Sequence, residues 1–328
     1  MKKFKRMILF YVLVLFALSF VSIPNSNAWS FAKSANLYGK SMPIPKLKKL
    51  DSVNIDSVIK SINVYFENDY FHYGEYYGTR TAGTKPLGSY ADGEHIGMHG
   101  YGISFQSILS KQIPIWYEAG YSYLPGSGIY DEITGPTDIS HKTNMAKYGF
   151  RLGYVFNISN RLAIIPNFGY QFVNWNRDLD PRLNSDYYHL NYYMLGIKGY
   201  YIPPVLNNKL WVEASVYYLN DINDTVDLGM ADNNRLGPSE PYYIYYLYYP
   251  GNPNFIMTPK AGYIIGAKIG YKLWQFSYKN NPVLSVSPYA GVTFEQNKMG
   301  ASNESSWGIE PSDQYNQIFL KFGLKFGF

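Results

Sequence analysis

Large apolar residues alternate with small, polar or charged residues along most of the chain. In the last segment, Ile318 and every second residue after it up to Phe328 are Ile, Leu or Phe, and most residues between them are Gly or Lys. Successive side chains of a β-strand point to opposite faces, so a period of two predicts a strand with one apolar face. Ten segments alternate in this way, and we predict ten strands: 58–72, 96–108, 113–124, 145–157, 161–175, 187–201, 209–220, 260–273, 283–296 and 316–328.

The connections between these segments alternate between short and long. The short ones are 110–112, 159–160, 203–208 and 275–282, and the long ones are 73–95, 125–144, 176–186, 221–259 and 297–315. Short turns at one end, long loops at the other and an even strand number are typical of bacterial outer-membrane barrels, because only a closed sheet pairs every backbone group in hydrocarbon. The predicted fold is all-β, a transmembrane antiparallel up-and-down β-barrel of about 10 strands. Eight or 12 strands are the alternatives, since loop 221–259 is long enough to hide a further hairpin.

The second face of each segment is small, polar or charged. In the eighth segment, Tyr263 and Ile265 share one face, and Gly266 and Lys268 share the other. A soluble sandwich or barrel would place its apolar face inside and many Lys and Glu outside. We expect the reverse, with the polar face lining a lumen and unable to form a dry core.

Charged residues of both signs fall on this inner face. The predicted lumen charges are Glu67, Asp69, Glu118, Lys147, Arg151, Lys198, Glu213, Lys268, Lys272, Glu295, Lys321 and Lys325. Eight-stranded barrels are filled by side chains and 16-stranded ones hold a channel, so ten strands predict a lumen plugged by paired charges with scattered water. Inward glycines either make room for long neighbours or set the barrel curvature.

The N-terminal residues predict export. A cationic start is followed by an apolar run at 7–21 and small residues before Trp29, which indicates a cleaved signal peptide at 1–28. Residues 29–55 then form an irregular periplasmic segment, and 56–328 the barrel, in the bacterial outer membrane. Cysteine is absent, so backbone pairing must hold the fold without disulfides.

Charge and aromatic content narrow the function. The net charge of +5 includes the cations of the leader, so the remaining chain is almost neutral and gives no reason to expect nucleic-acid binding. The chain contains 35 Tyr and is 18% aromatic, and such rings favour the lipid–water boundary. In the longest loop, the Tyr-rich segment 241–249 could bind sugars or extend this aromatic belt.

Candidate catalytic groups are few. His95 follows Asp92 and Glu94, and His189 follows Asp186, so either imidazole could act as a general base. Neither cluster has a nucleophile beside it. His95 and His99 would share a strand face but lack a third metal ligand. We therefore predict no enzyme, no metal site and no cofactor.

Part of the chain resembles a group of uncharacterised outer-membrane β-barrel proteins. The resemblance rests on 167–178, which contains Trp-Asn-Arg-Asp, on Tyr187 and Tyr188, on the strand at 193–196, and on 311–328. It implies fold and location and no activity. The terminal Phe is shared with outer-membrane proteins in general, where it forms part of the signal read by the barrel-assembly machinery. The residues that carry that signal here would be Phe328, Phe326, Leu324 and Phe322.

The sequence thus predicts a monomeric barrel with a structural or surface-interaction role. Its expected partners are outer-membrane lipid, lipopolysaccharide and the barrel-assembly machinery. A narrow channel for ions or small solutes is the first alternative. A rim hydrolase acting on lipid A or peptides is the second.

Overall fold

A computed structural model describes residues 55–76, 89–110, 112–132, 139–180, 184–222, 224–228, 254–278, 281–302 and 312–328. The predicted signal peptide, the irregular segment up to residue 54 and the Tyr-rich segment 241–249 lie outside the described residues. No helix in the described ranges is long and apolar enough to cross a bilayer.

The described chain is almost entirely β-strand. Its elements are α1 (Ile55–Ile59), β1 (Ser61–Tyr76), β2 (Tyr90–Ile108), β3 (Ile115–Glu132), β4 (Ile139–Tyr154), β5 (Phe156–Ser159), β6 (Leu162–Asp180), β7 (Asn184–Tyr201), a 3-10 turn (Leu206–Asn208), β8 (Leu210–Asp221), β9 (Thr225–Leu228), β10 (Asn254–Thr258), β11 (Ala261–Tyr271), β12 (Trp274–Tyr278), β13 (Asn281–Ser302) and β14 (Ser312–Gly327).

These strands close an antiparallel barrel of ten strands. β5 continues β4, since both pair with β6. β9 continues β8, since both pair with β7. β10 and β12 continue β11, since all three pair with β13. The first and last strands pair from Ser61↔Gly327 to Tyr76↔Ser312, which closes the sheet. The prediction of a closed ten-stranded barrel is confirmed.

Several boundary predictions were wrong. The predicted short connection 275–282 contains strand residues, since β12 ends at Tyr278 and β13 begins at Asn281. Residues 58 and 59 belong to helix α1, and β1 begins only at Ser61. At the long-loop end, strands continue through parts of the predicted loops, for example at 73–76 and 90–95. Backbone pairing does not depend on the apolar alternation, so it persists above the apolar part of the wall, where the outward residues become polar.

The outer wall is apolar over the middle and the short-turn end of the strands. Phe150, Ile197, Val216, Ile265 and Phe322 are each about half exposed there. Towards the long-loop end, this surface changes to polar. Four outward tyrosines lie next to outward polar residues at this level: Tyr70 next to His72, Tyr101 next to His99, Tyr193 next to Asn191 and Tyr218 next to Asn220.

The inside contains two apolar clusters, so the expectation that the inner face could not form a dry core was wrong. The first lies towards the long-loop end and includes Phe71, Trp175, Tyr192 and Phe319. The second lies at the short-turn end and includes Ile59, Trp116 and Trp211. Most residues of the first cluster lie within the predicted strands, at inward positions.

Candidate functional site in the barrel lumen

A polar chamber separates the two apolar clusters. Its volume is about 130 Å³, and charged side chains from all around the barrel line it. The lining charges are Glu67, Glu118, Lys147, Arg151, Lys198, Glu213, Lys268, Glu295 and Lys321. A cavity of this size and polarity has room for several waters.

In the half of the chamber nearest the short turns, two carboxylates pair with three cations. Lys198 Nζ lies 2.6 Å from Glu118 and 3.5 Å from Glu213. Arg151 lies 3.8 Å from Glu118, and Lys268 lies 2.8 Å from Glu213. Buried charges are tolerated when they are paired in this way, and each carboxylate here has more than one partner.

The other half contains separate pairs. Lys321 lies 3.4 Å from Glu67, and Lys147 lies 3.2 Å from Glu295. Gln317 Nε2 donates to Asp69 at 3.2 Å, and Lys147 donates to the Gln317 amide oxygen at 2.7 Å. Asp69 is thereby joined to the network through an amide.

The predicted lumen charges are therefore mostly brought together. Lys325 reaches Glu213 at 3.6 Å from the short-turn end. Lys272 is buried but does not line the chamber. Pairs between residues more than 100 positions apart, such as Lys147 and Glu295, follow from barrel closure.

A plug closes the short-turn end of the lumen. Its parts are helix α1 and the surrounding cluster with Trp116, Trp211 and Tyr200, all of which are buried. The Val58 carbonyl accepts from Gln106 Nε2 and Lys325 Nζ, each at 3.1 Å. The Phe328 amide donates to the Lys60 carbonyl at 3.2 Å, so both ends of the barrel chain hold the helix.

Close contacts explain two of the inward glycines. A Cβ on Gly270 would lie 2.2 Å from the Trp211 ring, and one on Gly327 would lie 2.1 Å from the Ser57 carbonyl oxygen of α1. Both positions must lack a side chain for the plug to pack. A Cβ on Gly149, in contrast, would meet nothing within 4 Å.

A cap of buried charges lies above the apolar cluster at the long-loop end. Arg177 is 2% exposed, and its Nε lies 2.5 Å from Glu94. Glu94 Oε2 also lies 2.9 Å from His141 Nε2. Tyr188 accepts from Arg177 and bonds to Tyr73, which donates to Glu75 at 2.8 Å.

Burial and neighbouring charges shift the pKa values of ionisable side chains at the long-loop end of the lumen. Burial alone would lower the pKa of the Arg177 guanidinium, but Glu94 and the other neighbours raise it well above its ordinary value. Burial, and then the facing Glu75 carboxylate, raise the pKa of Asp92 to about 9. Burial likewise raises the pKa of Asp221 to about 7 and that of Asp224 to about 8.

Sequence reasoning missed the cap. The signal was present, because Trp175 and Arg177 continue the inward positions of β6 and Glu94 continues those of β2. The sequence does not reveal the cap because Glu94 and Arg177 fall in the predicted loops 73–95 and 176–186.

The carboxylates expected beside the histidines do not contact them. Glu94 points into the lumen and pairs with His141. His95 lies on the outer wall, where its ring stacks on His72 at 4.4 Å. His189 also faces outward and contacts Asn174, whereas Asp186 faces the lumen near Arg177. In the described part of the chain, no group of three or more metal-binding side chains has an arrangement that could hold an ion.

The four residues expected to form the assembly signal lie at the short-turn end of β14. Phe322, Leu324 and Phe328 are exposed on the outer wall, and Phe326 is partly exposed there. The Phe328 ring stacks against Phe105 of β2. The last residue thus covers the seam between the first and last strands from outside.

The closed sheet, the apolar wall and the charged interior define the class: this chain is a ten-stranded transmembrane β-barrel. No family model matches the sequence. A search of characterised proteins also found no relative.

Similar solved structures include three barrels. The outer-membrane protease OmpT of Escherichia coli is 11% identical, with a TM-score of 0.44 over 86% of this chain and 99% of that one. The translocator domain of the autotransporter NalP of Neisseria meningitidis is 10% identical, with 0.34 over 82% and 89%. A FadL homologue of Pseudomonas aeruginosa is 11% identical, with 0.28 over 82% and 90%. At these values the likenesses do not bear on the site.

Proposed function

We propose that this protein is a resident of the bacterial outer membrane with a non-conducting lumen and a structural or surface role. The observation that carries the proposal is the double closure of the lumen. The plug with α1 fills one end, and the apolar cluster with the cap of Arg177 fills the other. Ions crossing such a path would have to displace fully buried aromatic and charged groups.

The outer wall supports a membrane location. Outward tyrosines such as Tyr70, Tyr101 and Tyr193 adjoin the change from apolar to polar surface, which is where an aromatic girdle meets the headgroups. Beyond it lie His72, His95 and other polar groups at the height of lipopolysaccharide sugars and phosphates. We infer that lipopolysaccharide contacts this polar collar, and that the signal peptide 1–28 and the exposed row ending at Phe328 serve export and recognition by the barrel-assembly machinery.

Planar-bilayer recording tests the proposal. We expect the purified, refolded mature protein to give no channel steps at moderate voltage, while a general porin reconstituted in parallel gives stable steps. Reproducible open-channel steps from the protein would overturn the closed-lumen proposal and favour the channel for ions or small solutes.

The hydrolase alternative has a separate test in the same preparation. We expect no cleavage of lipid A or of reporter peptides. Cleavage by the wild type that is lost in His95→Ala or His189→Ala would establish the rim hydrolase instead.

A further inference from the structure

The chamber presents its positive charges to the cavity and hides its negative charges. The side chains of Arg151, Lys268 and Lys321 are 20–22% exposed, whereas those of Glu67, Glu118 and Glu213 are 1–7% exposed. Of the two other lining cations, Lys147 is 12% exposed, and Lys198, at 2%, is as buried as the carboxylates. Anything in the cavity therefore meets mainly cationic groups.

Charge is unbalanced in the half of the chamber nearest the plug. Three lining cations, Arg151, Lys198 and Lys268, share two lining carboxylates, Glu118 and Glu213. In the other half, Lys147 and Lys321 match Glu295 and Glu67. Among the described lining residues, the excess of positive charge thus lies beside Arg151 and Lys268.

Unused hydrogen-bond donors lie in the same place. Among the described residues, Gln171 Nε2 and Arg151 Nε make no hydrogen bond, although Gln171 is only 8% exposed. Buried amide donors almost always find a partner. Gln171 pairs across strands with Gly149, whose missing side chain leaves open space beside the amide. Glu67 Oε2 also lines the chamber and accepts no hydrogen bond from a described residue, but it lies in the other half, where the charges are matched.

We propose that the chamber binds a small oxyanion, of the size of nitrate or formate, between Arg151, Lys268 and Gln171. Oxyanions accept strong charge-assisted hydrogen bonds from guanidinium and ammonium groups. A cavity of about 130 Å³ accommodates such an anion with one or two waters. Much larger anions do not fit this volume.

Equilibrium unfolding in detergent tests this site. A ligand that binds only the folded state raises the urea midpoint with concentration. The protein is refolded and unfolded in sodium nitrate or in sodium gluconate of equal concentration, so that screening is matched and slow entry through the plug is avoided. We expect a higher midpoint in nitrate for the wild type.

Two lumen variants and one outer variant identify the site. Lys268→Met removes the excess cation but leaves Glu213 paired with Lys198 and Lys325. Gln171→Leu removes the amide without a charge change, and Lys298→Met removes an exposed lysine of the outer wall on β13. The nitrate shift should persist in Lys298→Met and disappear in Lys268→Met, and Gln171→Leu should need about tenfold more nitrate for the same shift, the weakening expected when a hydrogen bond worth about 1.4 kcal/mol is lost.

An equal midpoint in nitrate and gluconate for the wild type would overturn the anion site. An unchanged shift in Lys268→Met would overturn it as well. If Lys268→Met does not refold, Gln171→Leu decides in the same way. None of these outcomes depends on conductance, so the site can fail while the closed-lumen proposal stands.

Discussion

Asp92 and Glu75 lie opposite each other on β2 and β1, with both side chains in the cap. Burial, and then the facing carboxylate, raise the pKa of Asp92 from an ordinary value near 3.8 to about 9. The folded state therefore holds a proton on this group that the unfolded chain releases. Such a group costs nothing below its unfolded pKa and lowers stability progressively as pH rises towards its folded pKa.

We predict that Asp92→Asn flattens this pH dependence. Between pH 5 and 8 the urea midpoint of the wild type should fall, whereas that of the variant should fall less, because the amide cannot ionise. Asp178→Asn, on the exposed outer wall of β6, is the matched control and should keep the wild-type slope. Equal slopes in all three proteins would contradict the assignment to Asp92.

The sequence allowed the charged residues of the lumen to be predicted, but not which of them pair. Lys147 and Arg151 could be placed on the inner face from the period of β4 alone. Which carboxylate each one meets depends on barrel diameter and strand stagger, and neither is encoded locally. The cap was missed because Glu94 and Arg177 lie where the outward residues are also polar, so the apolar alternation no longer marks a strand.

Helix α1 is the element with the least support from its own sequence. It has only five residues, too few to form a stable helix alone, so its conformation depends on packing inside the barrel. Ile59 is fully buried between the barrel walls. The alternation predicted a strand from residue 58, whereas in the structure Val58 and Ile59 belong to α1 and pack in one cluster with Trp116 and Trp211.

We predict that Ile59→Ala lowers the free energy of unfolding by about 3 kcal/mol, the usual cost of a cavity at a fully buried aliphatic residue. Lys60→Ala, at the partly exposed neighbouring residue, should change it by no more than about 0.5 kcal/mol. Urea unfolding in detergent micelles measures both. Similar values for the two variants would show that α1 does not pack as a plug.

At the scale of the whole molecule, the depth of the barrel in the bilayer decides which outward positions tolerate charge. Ile265 lies within the apolar wall, and Ile129 lies opposite His95 above it. Their exposed fractions, 51% and 49%, are almost equal. They therefore differ mainly in their surroundings, hydrocarbon for one and the headgroup region or water for the other.

We predict that Ile265→Lys destabilises the barrel in lipid vesicles by about 2 kcal/mol or more and that Ile129→Lys costs about 1 kcal/mol or less. Urea unfolding from vesicles, followed by tryptophan fluorescence, gives both values. Equal costs would place the apolar wall outside the bilayer core and would contradict the proposed location.

The sequence by itself determined the local features: ten alternating segments, the inward or outward direction of each side chain, and the asymmetry of turns and loops. These follow from the period of a strand and need no knowledge of distant residues. Tertiary structure alone decided that Lys198 meets Glu118, that α1 fills the short-turn end, and that two apolar clusters enclose a chamber. Those features depend on closure of the sheet, which brings together residues far apart in the chain at a radius that no single segment specifies.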